Sequence, residues 1–298
     1  MSSVSANGIR LEYESYASAR HPTILLIMGL GCQLTRWPMA LCDELVSRGY
    51  RVIRFDNRDV GLSTKMDHTG TLDLADLAMS FMMGKPLAAK YSLEDMAMDT
   101  VGLLDALDIK SAHIVGASMG GMIAQILAAR HSSRVLSLTS IMSTTGNPAL
   151  PQARPAIAAA SLQTMTAPAT QTAKVTSGVN WWQSIGSPAY PTDPSILRDA
   201  ASRDVQRSFH PTGVARQMLA IASGADRRAL CAGIVAPTVV LHGAQDPVIP
   251  VEGGRDTAAA IPGAELRIIP GMGHDIPHEL IPVFVDAITT AAMRAKKQ

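Results

Sequence analysis

The sequence predicts an α/β fold in which a mostly parallel central sheet is flanked by helices and interrupted by an inserted helical segment. Strand-like and helix-like stretches alternate from about residue 23 to residue 141 and again from residue 237 onward, the rhythm of parallel strands joined by crossover helices. Between residues 144 and 232 short Ala-, Met- and Ser-rich helical patterns replace it, broken by Pro148, Pro151, Pro155, Pro168, Pro188, Pro191, Pro194 and Pro211. An apolar strand also breaks at Gly116-Ala117-Ser118-Met119-Gly120 and resumes as an apolar helix pattern. The expected organisation is a core made of residues 1–143 and 233–298, with residues 144–232 as a helical cap.

Asn7-Gly8 separates two alternating segments, Ser3 to Ala6 and Ile9 to Tyr16, and this dipeptide is the strongest short-range hairpin signal. Thr23 to Met28 reads as a buried strand. Pro38 to Arg48 reads as a helix, with Gly49 where a C-terminal cap belongs. Arg51 to Phe55 follows as a strand, then a helix from Ser92 to Leu107 opened by the capping sequence Ser-Leu-Glu-Asp. Ala112 to Val115 leads into the serine turn, Met119 to Arg130 is the helix after it, and Val135 to Ile141 is a strand. Beyond the insertion come a strand at Pro237 to His242, a helix at Glu252 to Ala260, a strand at Ala264 to Ile269 and an amphipathic helix at Ile281 to Ala295.

Composition excludes several classes of function. The net charge of +1, from 26 basic and 25 acidic residues, leaves no electrostatic footprint for nucleic acid or an anionic membrane. The N-terminus carries no signal-peptide pattern, and no apolar run approaches the ~20 residues of a membrane span, so a cytoplasmic protein is expected. Three cysteines, Cys32, Cys42 and Cys231, form no Cys-x-x-Cys pair and read as buried thiols. Sixteen methionines outnumber the four phenylalanines, five tyrosines and three tryptophans combined. Most are expected as deformable core filler, and any that line a pocket would adapt it to bulky apolar ligands.

A strand, a Gly-x-Ser-x-Gly turn and a helix in succession form the arrangement that exposes a serine hydroxyl on a strained turn, beside a base and oxyanion donors. Ser118 is the candidate nucleophile. The base and its orienting acid are expected after later strands. Asp246 follows the strand ending at His242, and His274 follows Pro270-Gly271-Met272-Gly273. The order Ser118, Asp246, His274 is that of a catalytic triad. No Asp or Glu lies between Leu136 and Ala149, which removes the other natural position for the acid. His278 stands four residues after His274, but Pro277 and the glycine turn argue against one helix carrying both, so no metal site is expected.

The oxyanion donors are expected to be the backbone amides of Met119, at a helix start where amides lack partners, and of Leu30 in Gly29-Leu30-Gly31-Cys32. Those glycines do not make a dinucleotide fingerprint, because Leu34 occupies the third glycine position. Cys32, Trp181 and Trp182 are candidate substrate contacts, the tryptophans reading equally as packing of the cap onto the body. Arg58, set between Asp56 and Asp59, reads as part of a paired network that pins its loop.

These motifs together resemble the α/β-hydrolase superfamily: Met28-Gly29-Leu30-Gly31, Asp56-Asn57-Arg58-Asp59-Val60-Gly61-Leu62-Ser63, Gly116-Ala117-Ser118-Met119-Gly120-Gly121, His242-Gly243-Ala244-Gln245-Asp246-Pro247 and Gly271-Met272-Gly273-His274. More narrowly, the charged turn, the Trp37-Pro38 pair and Pro-Gly-Met-Gly-His look like the aclacinomycin methylesterase group. That group shares Met28, where many superfamily members have histidine. The resemblance implies the α/β-hydrolase fold and hydrolysis of a carboxylic ester, small or as bulky as a polyketide or macrolide, by a covalent acyl-enzyme. Neither cofactor nor metal is implied, and the expected partner is a small-molecule ester. A perhydrolase, a carbon–carbon bond hydrolase or a lactonase would use the same triad, and a ligand receptor on a hydrolase fold is the non-enzymatic alternative.

Overall fold

The computed structural model describes residues 2–69, 89–163 and 170–295; Pro168 and the rest of 164–169 in the expected cap lie outside them. Eight strands form one sheet: β1 (Ser2–Ala6), β2 (Ile9–Tyr16), β3 (Thr23–Ile27), β4 (Arg51–Phe55), β5 (Ala112–Ala117), β6 (Val135–Ile141), β7 (Thr238–Gly243) and β8 (Glu265–Ile269). They lie in the order β1-β2-β4-β3-β5-β6-β7-β8. The pairs β1/β2 and β2/β4 are antiparallel, and every pairing from β4 to β8 is parallel. The hairpin forms as its turn dipeptide predicts, with Asn7 and Gly8 at φ 48° and 76°, the left-handed pair that a two-residue turn requires.

Strand periodicity divides the core. Leu25, Ile27, Ile53 and Ile114 face one side, against α2 (Leu93–Ala106) and α3 (Met119–Arg130). Ile24, Leu26, Val52 and Val115 face the other, against α1 (Met39–Ser47) and a later helix at Ile281–Ala295. All residues of β3 and β5 are buried, as befits central strands covered on both faces. Ser92 caps α2 with the reciprocal bonds of a capping box, Asp95 being the partner.

Between β6 and β7 the chain forms α4 (Pro155–Gln163), α5 (Gln171–Ile185), α6 (Pro194–Arg207), α7 (Pro211–Ala222) and the short α8 (Arg228–Cys231). Pro155, Pro194 and Pro211 begin helices rather than break them, because the first turn has no use for their missing amide. Val175, Val179, Leu197 and Ala201 form a separate apolar cluster between α5 and α6. After β7 come α9 (Val251–Ala260) and α10 (Ile281–Ala295). Near the end of α10, Arg294 donates to the carbonyl of Thr238, the first residue of β7, at 3.1 Å. Among the described residues, no helix is long and apolar enough to cross a membrane.

The charged turn after β4 forms a network, with partners different from those its sequence suggests. Consecutive side chains in a turn splay apart, so Arg58 does not bridge its two neighbours. It makes a two-pronged pair with Asp99 of α2, both contacts at 2.6 Å. Asp56 pairs with Arg207 of α6 at 2.7 Å and accepts the amides of Leu34 and Leu62. Asp59 takes Arg216 of α7 and the hydroxyl of Tyr91. The turn thereby joins the sheet to the inserted helices.

Candidate active site

Ser118 sits between β5 and α3 at φ 55°, ψ −120°, a conformation that L-residues hold only when their surroundings force it. Close packing supplies that force. A Cβ at position 116 would lie 2.1 Å from the Gly120 carbonyl, and one at position 120 would lie 2.0 Å from the Ile27 carbonyl. The Ser118 amide donates to Ile141 O at 2.9 Å, and the Ser143 hydroxyl donates to Ser118 O at 2.8 Å. The turn is therefore locked to β3 and β6 on either side.

The loops after β7 and β8 bring the other two residues to the same end of the sheet. His274 Nε2 lies 3.0 Å from Ser118 Oγ, and His274 Nδ1 lies 2.7 Å from Asp246 Oδ2. A carboxylate can only accept, so Nδ1–H donates to Asp246 and Nε2 is left to accept the serine hydroxyl. The second oxygen of Asp246 accepts the amides of Val248 and Ile249, each at 2.9 Å. Burial by itself would raise the Asp246 carboxyl, but the facing His274 and the bonds from both neighbouring histidines prevail and hold it well below the usual carboxylate range.

Met119 follows Ser118 directly in the chain, and Leu30 lines the same cavity as Ser118. Met119 is the first residue of α3, while the Gly121 and Met122 amides already donate to Ser118 O. Among the described residues, neither the Leu30 nor the Met119 amide donates to a protein acceptor. Gly29 packs so close that a Cβ there would meet the Ser118 Cβ at 3.0 Å. Two side chains hold this loop in ways its sequence does not advertise. Asn57 donates to Met28 O at 2.9 Å, and Gln217 of α7 accepts the Gly31 amide at 2.9 Å.

A cavity of about 330 Å³ is lined by Ser118 and His274 together with Met28, Leu30, Cys32, Met142, Trp181 and Trp182. A neighbouring cavity of about 170 Å³ shares Leu30, Cys32, Arg36 and both tryptophans. Arg36 stacks over Trp182 at 4.4 Å and is tied to Asp204 at 2.6 Å. Met66, Met96, Met122 and Met272 are core filler, so only part of the methionine excess serves the cavity. Burial pushes the Cys32 thiol up to about 12 and the Cys42 and Cys231 thiols up to about 11, which keeps all three protonated at neutral pH.

His242 is a site neighbour whose position the sequence reading does not single out. It is fully buried, donates through Nε2 to Ile249 O at 2.8 Å and lies 3.4 Å from Asp246 Oδ2. Its place four residues before Asp246, at the end of a buried strand, was the available signal. His278 opens a short 3-10 turn at 278–280. Among the described residues, no group of three or more His, Cys, Asp or Glu side chains is placed to hold a metal ion.

Comparison with known proteins places this geometry in a family. A model described as the alpha/beta hydrolase fold matches residues 22–279. The chain is 26% identical over 294 residues to rhodomycin D methylesterase DnrP of Streptomyces peucetius, covering 90% of this chain and 91% of that protein. It is 25% identical over 266 residues to 3-oxoadipate enol-lactonase 2 of Acinetobacter baylyi, covering 89% and 87%. Among solved structures, the enol-lactonase of Burkholderia xenovorans LB400 superposes with a TM-score of 0.75 at 24% identity, over 98% of this chain and all of that one, a likeness of fold. The methylesterase similarity agrees with the narrower resemblance read from the motifs. With the sheet order, the serine turn and a family match over most of its length, this chain belongs to the α/β-hydrolase family and is an enzyme of that superfamily.

Proposed function

We propose that the protein is a serine carboxylic-ester hydrolase that works through a covalent acyl-enzyme. The observation that carries this is the continuous hydrogen-bonded line from Ser118 Oγ through His274 to Asp246. In this reading His274 takes the Ser118 proton as the hydroxyl attacks the ester carbonyl, and Asp246 orients the imidazole and stabilises its cation. The amides of Leu30 and Met119 receive the oxyanion, each such donor typically worth ~2.7–4 kcal/mol to the transition state. His274 then protonates the leaving alcohol and activates water to release the acid.

Residues 144–232 act as the cap, and Cys32, Trp181 and Trp182 contact the substrate. The sulfur, aromatic and aliphatic groups that make up most of the lining, beside Arg36, Arg203 and Asp275, suit an apolar ester, from small acyl groups to polyketide- or macrolide-type esters, and the similarity to a rhodomycin D methylesterase supports that class. A lactone is a cyclic ester open to the same chemistry, and the enol-lactonase relative favours it as the second reading. Ser118→Ala should remove hydrolysis of p-nitrophenyl butyrate and labelling by a fluorophosphonate while circular dichroism stays native. Turnover by that variant above background would refute the nucleophile. Mass spectrometry of products from a panel of methyl esters and lactones separates the two substrate readings.

A further inference from the structure

The loop carrying His274 is tied to the end of α5 and the turn that follows it. Helix α5 ends at Ile185, whose carbonyl accepts the His274 amide at 2.8 Å. Two residues later Ser187, only 2% exposed, accepts the Gly273 amide at 2.8 Å and donates its hydroxyl to Asp275. Ala189 donates to the Gly271 carbonyl at 3.2 Å. The two segments touch so closely that a Cβ at position 273 would lie 2.5 Å from the Gly186 carbonyl. The backbone leading up to the histidine and the side chain that follows it are thus tied to residues 185–189.

The same helix end lines the cavity. Trp181, Trp182 and Ile185 face it, and Trp182 lies about one helical turn before the carbonyl that holds the His274 amide. A ligand filling the cavity would therefore meet the same helix end whose last carbonyl accepts the His274 amide. Such coupling matters because a displacement of about 1 Å in a catalytic group can cost about a hundredfold in rate.

We propose that the turn at residues 185–189 positions the general base, with Ser187 as the positioning residue, and that a bulky ester filling the cavity improves the alignment of His274 through α5. This rests on His274 being the base for Ser118. Ser187 touches neither the serine hydroxyl nor the imidazole in this arrangement and acts through the Gly273 amide and the Asp275 carboxyl. Removing its hydroxyl strips both groups of a buried partner while leaving the triad side chains intact.

The test compares wild type, Ser187→Ala and Ser187→Thr on p-nitrophenyl acetate and on a p-nitrophenyl ester of a bulky alicyclic acid. Rates are normalised to serine titrated to completion with a fluorophosphonate. The expected result for Ser187→Ala is a fall in kcat for the bulky ester of about tenfold with KM within about twofold, a smaller fall for the acetate, and recovery in Ser187→Thr, which keeps the hydroxyl. Ser187→Cys, similar in size with a weaker donor, reads the same split if the alanine variant does not fold. An unchanged kcat overturns the positioning role, and equal fractional losses on both esters overturn its coupling to the bound ester through α5. Ser118→Ala, run in parallel, separates the two levels: activity in it overturns the esterase reading itself, whereas its inactivity beside an unaltered Ser187→Ala overturns the positioning role alone.

Discussion

Asp59 and Arg216, 157 positions apart in the chain, meet in a buried two-pronged pair at 2.7 and 2.9 Å. Asp59 stands in the turn after β4 and Arg216 on α7, so this pair fastens the inserted helices to the sheet. Arg216→Ala leaves a buried carboxylate without its main partner, and the expected cost is about 3–5 kcal/mol, read as a lower urea midpoint at unchanged m-value. Replacing Asp59 and Arg216 together with apolar residues should recover part of the loss, since the lone charge is the larger penalty. Equal midpoints for Arg216→Ala and wild type would show the pair to be dispensable.

Acid affects the protein twice. An imidazolium at position 274 cannot accept the serine proton, so kcat/KM should fall towards the acid side of an assay window of about pH 5 to 8. A flat profile across it would count against a histidine base. Asp246 is depressed in the folded state, so its ionised form contributes stability above the unfolded carboxyl range of about 3.9. That contribution is lost as pH falls through the lower folded value. Asp246→Asn should flatten the acid limb of stability and lower kcat by about 10⁴-fold, the first measured by urea melts from about pH 1.5 to 6 and the second by ester turnover.

Gly120→Ala should abolish the site by steric exclusion. Its Cβ would fall 2.0 Å from the Ile27 carbonyl, and backbone cannot yield as a flexible side chain does. Expected outcomes are a loss of soluble protein, or a folded remnant that no fluorophosphonate labels. A fully active alanine variant would mean that the turn is looser than its packing requires.

Trp182 both lines the cavity and carries the Arg36 guanidinium on its ring. Trp182→Ala should raise KM for an aromatic ester by about tenfold, the scale of a lost stacking contact of about 1.5 kcal/mol. Steady-state kinetics on naphthyl and acetyl esters check this. A KM unchanged for the naphthyl ester would reassign the residue to packing.

The elements that could be read in the sequence are those whose causes are local. Asn7-Gly8 dictates a hairpin through backbone sterics alone, and β4 at Arg51–Phe55, α3 at Met119–Arg130 and α10 at Ile281–Ala295 follow from apolar periodicity between clear breaks. The serine turn and the loops bearing Asp246 and His274 carry glycines whose spacing states the geometry. What the sequence could not reveal depends on which distant groups meet. Arg58 chooses Asp99 over its neighbours, Gln217 reaches the Gly31 amide, and Ser187 reaches Gly273, because these pairings are set by the docking of whole helices. The prolines at 155, 194 and 211 misled for a related reason: proline marks a boundary without saying whether a helix ends or starts there.

The bond from Arg294 to the first residue of β7 fixes where the last described helix leaves the body. Asp246 follows the far end of that strand, about 17 Å away at the usual rise per residue, on the side where Ser118 and His274 also stand. A tether to a solid support attached through a cysteine in place of the exposed Met293, beside Arg294, therefore lies on the side opposite the cavity. Immobilising the enzyme through that position leaves the reaction chamber facing the bulk liquid.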